Sequence, residues 1–299
     1  MIVLIIGCKG FIGSHASTYF SAKGDTIIGY DMVEADGTEP YPYYQRKSTG
    51  AALEAIISKY RPDACINAGG NGSVPFSIAN PVSDFESNVS FHTELLDIIH
   101  QYDPACKYIH LSSAAVYGNP RQLPVTENSP VLPISPYGWH KHQAELICRE
   151  YAVLYNLQTA SLRVFSVYGP GLRKQLFWDT YQKSRKNNTI QLFGTGNESR
   201  DFIYITDLVA AIDTVLTNAV MQGEVINVSS GIETTIAEAV SLFTGFMENH
   251  NVVFNHLDNP GNPLNWKADI KQLKNLGFTA KVSLQEGLNI TVKWLKENA

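Results

Sequence analysis

Tyr137 and Lys141 lie four positions apart in the segment Ser135-Pro136-Tyr137-Gly138-Trp139-His140-Lys141. On a helix that interval is slightly more than one turn, so a phenol and an ammonium project from one face. A free phenol, with a pKa of about 10, is a poor base at neutrality, but a cation held within a few ångströms favours its ionised form. Such a pair can exchange a proton with a hydroxyl or carbonyl. Ser113, at the end of an apolar run, adds a hydroxyl that can both donate and accept. Arg200 offers a planar donor fork suited to a diphosphate. Three glycines in Gly7-Cys8-Lys9-Gly10-Phe11-Ile12-Gly13 would let backbone N–H groups close on an anion.

The elements needed to position these groups can be read from the pattern. Pro136 suits a helix start with Ser135 as its N-cap, and residues 141–155 run on with helical spacing and no proline. Ile2–Ile6 is a continuous β-branched and aliphatic run, the pattern of a strand buried on both faces of a parallel sheet. The glycine turn follows it at once, then a helix to about residue 23 and a second strand over 26–30. Asp31 ends that strand, 18 residues past Gly13. A carboxylate there can accept from both ribose hydroxyls of a dinucleotide and would repel a 2′-phosphate, which favours NAD over NADP. The stretch 34–47 reads as a loop, Ala51–Tyr60 as a helix, and 64–68 as a strand ending at Gly69-Gly70. Residues 81–101 contain a long helix with Asn88, Phe91 and Leu95 on one side, and 107–112 form another buried strand. Further on, 160–165 and 224–228 read as strands and 189–193 as extended, while 177–186 and 284–297 read as helices. Ligands of open parallel sheets bind beyond the carboxyl ends of the strands, which is where Ser113 falls.

With 299 residues and 44% apolar content the chain can bury a sizeable core, as two domains or one large one. A formal net charge of −5 provides no basic face for phosphate backbones, so nucleic acid is not an expected partner. The apolar start stops at Gly7, too short for a signal sequence, and no run approaches a membrane span of about 20 residues. The expectation is a cytoplasmic protein. Cys8, Cys65, Cys106 and Cys148 are scattered without metal spacing, which fits reduced, buried thiols. His140 and His142 point in different directions on a helix, so no metal site is expected.

Taken together, the GxxGxxG turn, Asp31, the segment Ser112-Ser113-Ala114-Ala115-Val116-Tyr117-Gly118, the Ser-Pro-Tyr-Gly-x-x-Lys segment and Arg200-Asp201-Phe202 resemble the extended short-chain dehydrogenase/reductase family, especially its nucleotide-sugar 4-epimerases. The resemblance covers nearly the whole chain in order. It implies that Tyr137 is the general acid/base, that Lys141 holds the nicotinamide ribose and depresses the tyrosine pKa, and that Ser113 hydrogen-bonds the reacting sugar oxygen. It implies cofactor contacts from the turn (Gly7, Gly10, Phe11, Ile12, Gly13), from Asp31 and Met32, and from Ala68 and Gly69. Asn88, Ser112 and Phe165 match positions lining the cofactor cleft. Arg200 would clamp the substrate diphosphate, with Ser166, Gln191 and Phe193 on the substrate side. Members that dehydrate carry Asp-Glu after the serine, and decarboxylating members carry a glutamate at the second position; Ala114 and Ala115 stand there instead. Two departures are visible: Ser166 where epimerases often have Asn, and Gln45, Arg46 and Lys47 where an acid usually meets the adenine side.

The expected fold class is α/β, a Rossmann-type doubly wound parallel sheet with a smaller α/β substrate-binding domain. Residues 1–165 would form the NAD-binding domain, with a return segment around 200–228, and 166–299 mainly the substrate domain. The expected activity is NAD-dependent 4-epimerisation of a nucleotide sugar, a UDP-hexose, by a homodimer built from the helices near Phe91 and Ala144. A nucleotide-4-ketosugar reductase and a non-catalytic dinucleotide-binding module are the alternatives.

Overall fold

The computed structural model of the chain describes residues 1–46, 51–247, 250–257, 261 and 263–299. Strand β1 (Ile2–Ile6) leads into helix α1 (Phe11–Ala22), strands β2 (Thr26–Asp31) and β3 (Tyr43–Gln45), helix α2 (Ala51–Tyr60) and strand β4 (Ala64–Asn67). Helices α3 (Val74–Ala79), α4 (Pro81–Phe85) and α5 (Phe91–Tyr102) follow, the last two joined by a π-helical turn, Glu86–Ser90. Next come β5 (Lys107–Ser113), a 3-10 turn (Ala114–Tyr117), α6 (Pro136–Tyr155) and β6 (Thr159–Val164). The second half holds β7 (Ser166–Tyr168), α7 (Gln175–Ser184), β8 (Thr189–Leu192), β9 (Ser199–Tyr204), α8 (Ile205–Asn218) and β10 (Gln222–Val228). The chain ends with β11 (Glu233–Thr235), α9 (Ile236–Thr244), β12 (Asn251–Phe254), α10 (Lys271–Asn275) and α11 (Leu284–Asn298).

Seven strands form one parallel sheet in the order β10-β6-β5-β4-β1-β2-β3. The apolar run of β1 explains its central place: Val3 and Ile5 pack into the core on one face of the sheet, Leu4 and Ile6 into the core on the other. From β1 the chain builds outward through β2 and β3, then crosses to β4 and continues the opposite way. A crevice therefore opens beyond the carboxyl ends of β1 and β4, the place where such sheets take ligands. A three-stranded sheet (β11-β9-β7) and a parallel pair (β12-β8) form the rest. No helix among the described residues is long and apolar enough to cross a membrane.

Two segments differ from the sequence reading. The stretch 34–47 is not all loop, because Tyr43–Gln45 adds a parallel edge strand to β2, with tyrosines suited to a pleated surface; Lys47 lies outside the described residues. The helix expected over 81–101 carries the π turn, where Asn88 Nδ2 donates to the Asp84 carbonyl at 3.1 Å and to the Asn71 carbonyl at 3.2 Å. A side chain inserted into the helical ladder in this way produces such a bulge. Asn88, Phe91 and Leu95 are nonetheless all buried.

Candidate active site

Ser135 caps α6 by accepting from Gly138 N at 3.2 Å, and Pro136 occupies the first turn. A methyl group at Gly138 would fall 2.6 Å from the Ala115 carbonyl oxygen, so only glycine lets the helix start press onto the turn after β5. That contact brings Tyr137 to Ser113, within hydrogen-bonding reach of its phenol. One turn along, Lys141 is buried and donates to the Leu111 carbonyl at 2.9 Å. Its Nζ stands 5.8 Å from the Tyr137 ring centre. The three groups named from the sequence therefore converge at the carboxyl edge of β5, beside the crevice.

The expected electrostatics need correction. Tyr137 is not shifted down by Lys141: burial pushes its pKa up to about 12, and the charge of Asp84 adds to that shift. Some of the Tyr137 side chain still meets solvent, but protein surrounds it closely. Lys141 is itself lowered to about 8, first by burial, while Asp84 and Glu145 oppose the shift. The ammonium is still mostly charged at neutral pH, but burial is the largest influence on the phenol.

Behind this face lies a charged network that the sequence reading did not single out. Arg163 from β6 grips Glu145 of α6 through Nε–Oε1 at 2.8 Å and Nη2–Oε2 at 2.7 Å, both side chains being almost fully buried. Arg163 also donates to the Tyr117 hydroxyl at 2.9 Å, which donates to Asn227 of β10 at 2.7 Å. The Ser112 hydroxyl is held by Glu145 and does not face the crevice. The two α6 histidines turn to separate carboxylates, His140 to the wholly buried Asp84 at 2.6 Å and His142 to Glu145 at 3.3 Å. Glu145, four residues past Lys141, could have been found from helical spacing; Asp84 and Arg163 carry no local signal.

On the cofactor side, Gly13 packs so closely that an added methyl would sit 2.1 Å from the Gly7 carbonyl oxygen. Gly10, at the α1 N-cap, provides no side chain to cap the first turn, so the N–H groups around Phe11, Ile12 and Gly13 open to the crevice. Asp31 accepts from Lys9 N at 2.8 Å and from Val33 N at 3.2 Å, leaving further lone pairs at the rim, where Met32 is exposed. Ala68 and Gly69 border the turn from β4, and the buried Asn88 Oδ1 beside Gly70 has no partner. An anion-binding helix start, a rim carboxylate and a spare buried acceptor together fit a dinucleotide. Phe165 is buried with Tyr117 and Trp266. Gln45 lies in β3, and Arg46 covers the Phe91 ring at 3.7 Å.

On the other side, Arg200 of β9 donates to the carbonyls of Ser199 at 2.7 Å and Leu264 at 3.1 Å, and lies 5.5 Å from the Trp266 ring centre. It pairs with neither Asp201 nor Asp207, which bind backbone and hydroxyl groups instead. Burial lowers its pKa to about 10. Ser166 starts β7, while Gln191 and Phe193 are exposed at the end of β8.

A parallel doubly wound sheet with a glycine turn and a Ser, Tyr and Lys set at its carboxyl edge defines a dinucleotide-dependent enzyme of the short-chain dehydrogenase type. The chain belongs to the NAD dependent epimerase/dehydratase family, whose sequence model matches residues 3–229. NAD is thus its cofactor. It is 28% identical over 316 residues to the UDP-glucuronate 4-epimerase of Thermodesulfobacterium geofontis, covering 99% of this chain and 96% of that protein. Among solved structures it resembles the UDP-N-acetylglucosamine 4-epimerase of Methanobrevibacter ruminantium in complex with UDP-N-acetylmuramic acid, with a TM-score of 0.89 and 26% identity over 99% of this chain and 98% of the other. It also resembles the UDP-glucose 4-epimerase of Thermotoga maritima with UDP-glucose, with a TM-score of 0.90 and 27% identity over 99% of each chain.

Proposed function

We propose that this protein is an NAD-dependent 4-epimerase of a UDP-hexose. The observation that carries the reading is the convergence of Tyr137, Ser113 and Lys141 at the crevice, with no acid in the two positions after Ser113. NAD, when bound, supplies reversible hydride acceptance from the sugar's C4. Ser113 holds O4 by a hydrogen bond, and Tyr137 removes its proton and later returns it, the positive charge of oxidised NAD, when bound, opposing the burial that raises the phenol's pKa. Lys141, held by the Leu111 carbonyl, keeps N–H donors for the cofactor's ribose. Ala115, half-buried, brings no carboxyl to the turn, and Ala114 is packed into the core and takes no part. Arg200, free of any carboxylate partner among the described residues, is the clamp for the substrate's diphosphate, with Gln191 and Phe193 at the nucleobase.

The test is product chromatography of a panel of UDP-sugars incubated with purified protein and no added NAD. Epimerised product with no net change at the nicotinamide absorbance band is expected. Stoichiometric consumption of reduced cofactor would instead establish a ketosugar reductase. We also infer a homodimer through α5 and α6, since Leu146, Val153, Leu154 and Tyr155 leave an apolar face exposed along α6; sedimentation as a monomer at micromolar concentration would contradict it.

A further inference from the structure

The glycine turn presents backbone N–H groups to the cofactor's diphosphate but no free cation. Lys9, the one basic residue in it, is tied to Glu39 at 2.5 Å and Asp36 at 3.2 Å. A different part of the chain comes to the same place. After β7 the segment 169–174 crosses onto the start of α1, where the Pro170 carbonyl meets His15 Nε2 at 2.9 Å. A methyl at Gly171 would be 3.5 Å from the Phe11 ring.

This segment ends in Lys174, at the N-cap of α7. Its ammonium reaches the loop after β4, so that a methyl on Gly72 would come within 3.3 Å of Nζ. Among the described residues no acid acts on it: burial alone pushes its pKa down, and its charge in turn lowers that of Lys141. The side chain is exposed to solvent, although protein packs near enough to its ammonium to lower its pKa. Two ammonium groups, Lys174 and Lys141, that repel one another, the first with no acid paired to it among the described residues, favour an anion that joins them. Lys174 lies near the β4 loop and Lys141, and Pro170 and Gly171 of its segment touch the start of α1, so that anion belongs where the dinucleotide's phosphates meet the helix N-terminus.

We propose that Lys174 binds a phosphate of the dinucleotide, so that the segment 169–174 acts as a strap from the second half of the chain across the cofactor. The inference rests on NAD being the cofactor and deepens the epimerase reading, since a cofactor oxidised and reduced within one cycle must be retained between cycles. A lysine serves here as a point charge and needs no fixed fork geometry.

Calorimetric titration of the purified chain, first stripped of any dinucleotide it retains, with NAD and, separately, with UDP tests it. Lys174→Met is expected to weaken NAD binding about tenfold to a hundredfold, the range for losing one charge-assisted hydrogen bond, and to leave UDP binding unchanged. Lys174→Arg should recover most of the loss. NAD binding unchanged in Lys174→Met would overturn the proposal, and so would a loss confined to UDP, which would assign the ammonium to the substrate's diphosphate. Wild-type protein that bound no NAD at all would remove the cofactor itself, a failure separate from that of the strap.

Discussion

The crevice beyond β1 and β4 and the inner face of α6 lie side by side but are built from different materials. The crevice is main chain: glycines pressed together, N–H groups at a helix start, and one rim carboxylate. The α6 face is side chains, with buried charges from β6 and α4 meeting one helix and neutral polar groups of β5 and β10 joined to the same network. A main-chain site tolerates little change in shape but carries few charges to lose, whereas a charged face tolerates shape changes and fails when a partner is removed. Substitutions should therefore separate the two. Tyr137→Phe is expected to produce the largest effect, a loss of kcat of about 10²- to 10⁴-fold, while the dinucleotide content of the purified protein stays at the wild-type level. Full turnover by that variant would remove the phenol from the chemistry.

Next in size is the cost of opening the ion pair. Arg163→Met strands the Glu145 carboxylate inside the protein and should cost about 3–5 kcal/mol in urea unfolding. Replacing both partners, Arg163→Met with Glu145→Leu, removes the stranded charge and should recover most of it. A double variant as unstable as the single one would show that shape, not charge, holds α6 in place. On the main-chain side, Gly13→Ala forces a methyl against the Gly7 carbonyl and should cost about 1–3 kcal/mol. It should empty the protein of dinucleotide while Tyr137 keeps its place. Retention of cofactor by that variant would mean the turn has room the structure denies it.

The same contrast decides what can be read from the residues. The glycine turn, its flanking strands and the start of α6 depend on contacts close in sequence, and their patterns of spacing survive in one dimension. Tyr137 and Lys141 could be paired because a single helix carries both. Asp84, Arg163 and Lys174 could not, since each acts on α6 or on the crevice from another element, and a lone charged residue has no period. The π turn was hidden for a related reason: the Asn88 side chain that enters the ladder there is held in part by the Asn71 carbonyl, 17 positions away. The assumed pull of Lys141 on Tyr137 was a two-body argument. Burial, a property of the whole fold, outweighs it.

The smallest expected effect probes the charges that oppose that burial. Lys141 titrates near pH 8, so kcat/KM, which reports the free enzyme, should fall on the alkaline side near that pH as the ammonium discharges. Asp84, held by His140 and Asn71, helps keep the ammonium protonated, as does Glu145, while Lys174 acts the other way. Asp84→Asn should therefore move the alkaline limb to lower pH, and a limb left in place would exclude Asp84 from this balance. Stability gives an independent reading with a defined sign. Between about 8 and 10.5 the unfolded lysine holds a proton that the native one has lost, so stability rises with pH across that window. Tyr137 acts oppositely between 10 and about 12, where the native phenol keeps a proton that the unfolded one has lost. The difference between wild-type and Lys141→Met unfolding free energies isolates the first window from the buried thiols that also titrate there, and it should change only above pH 8.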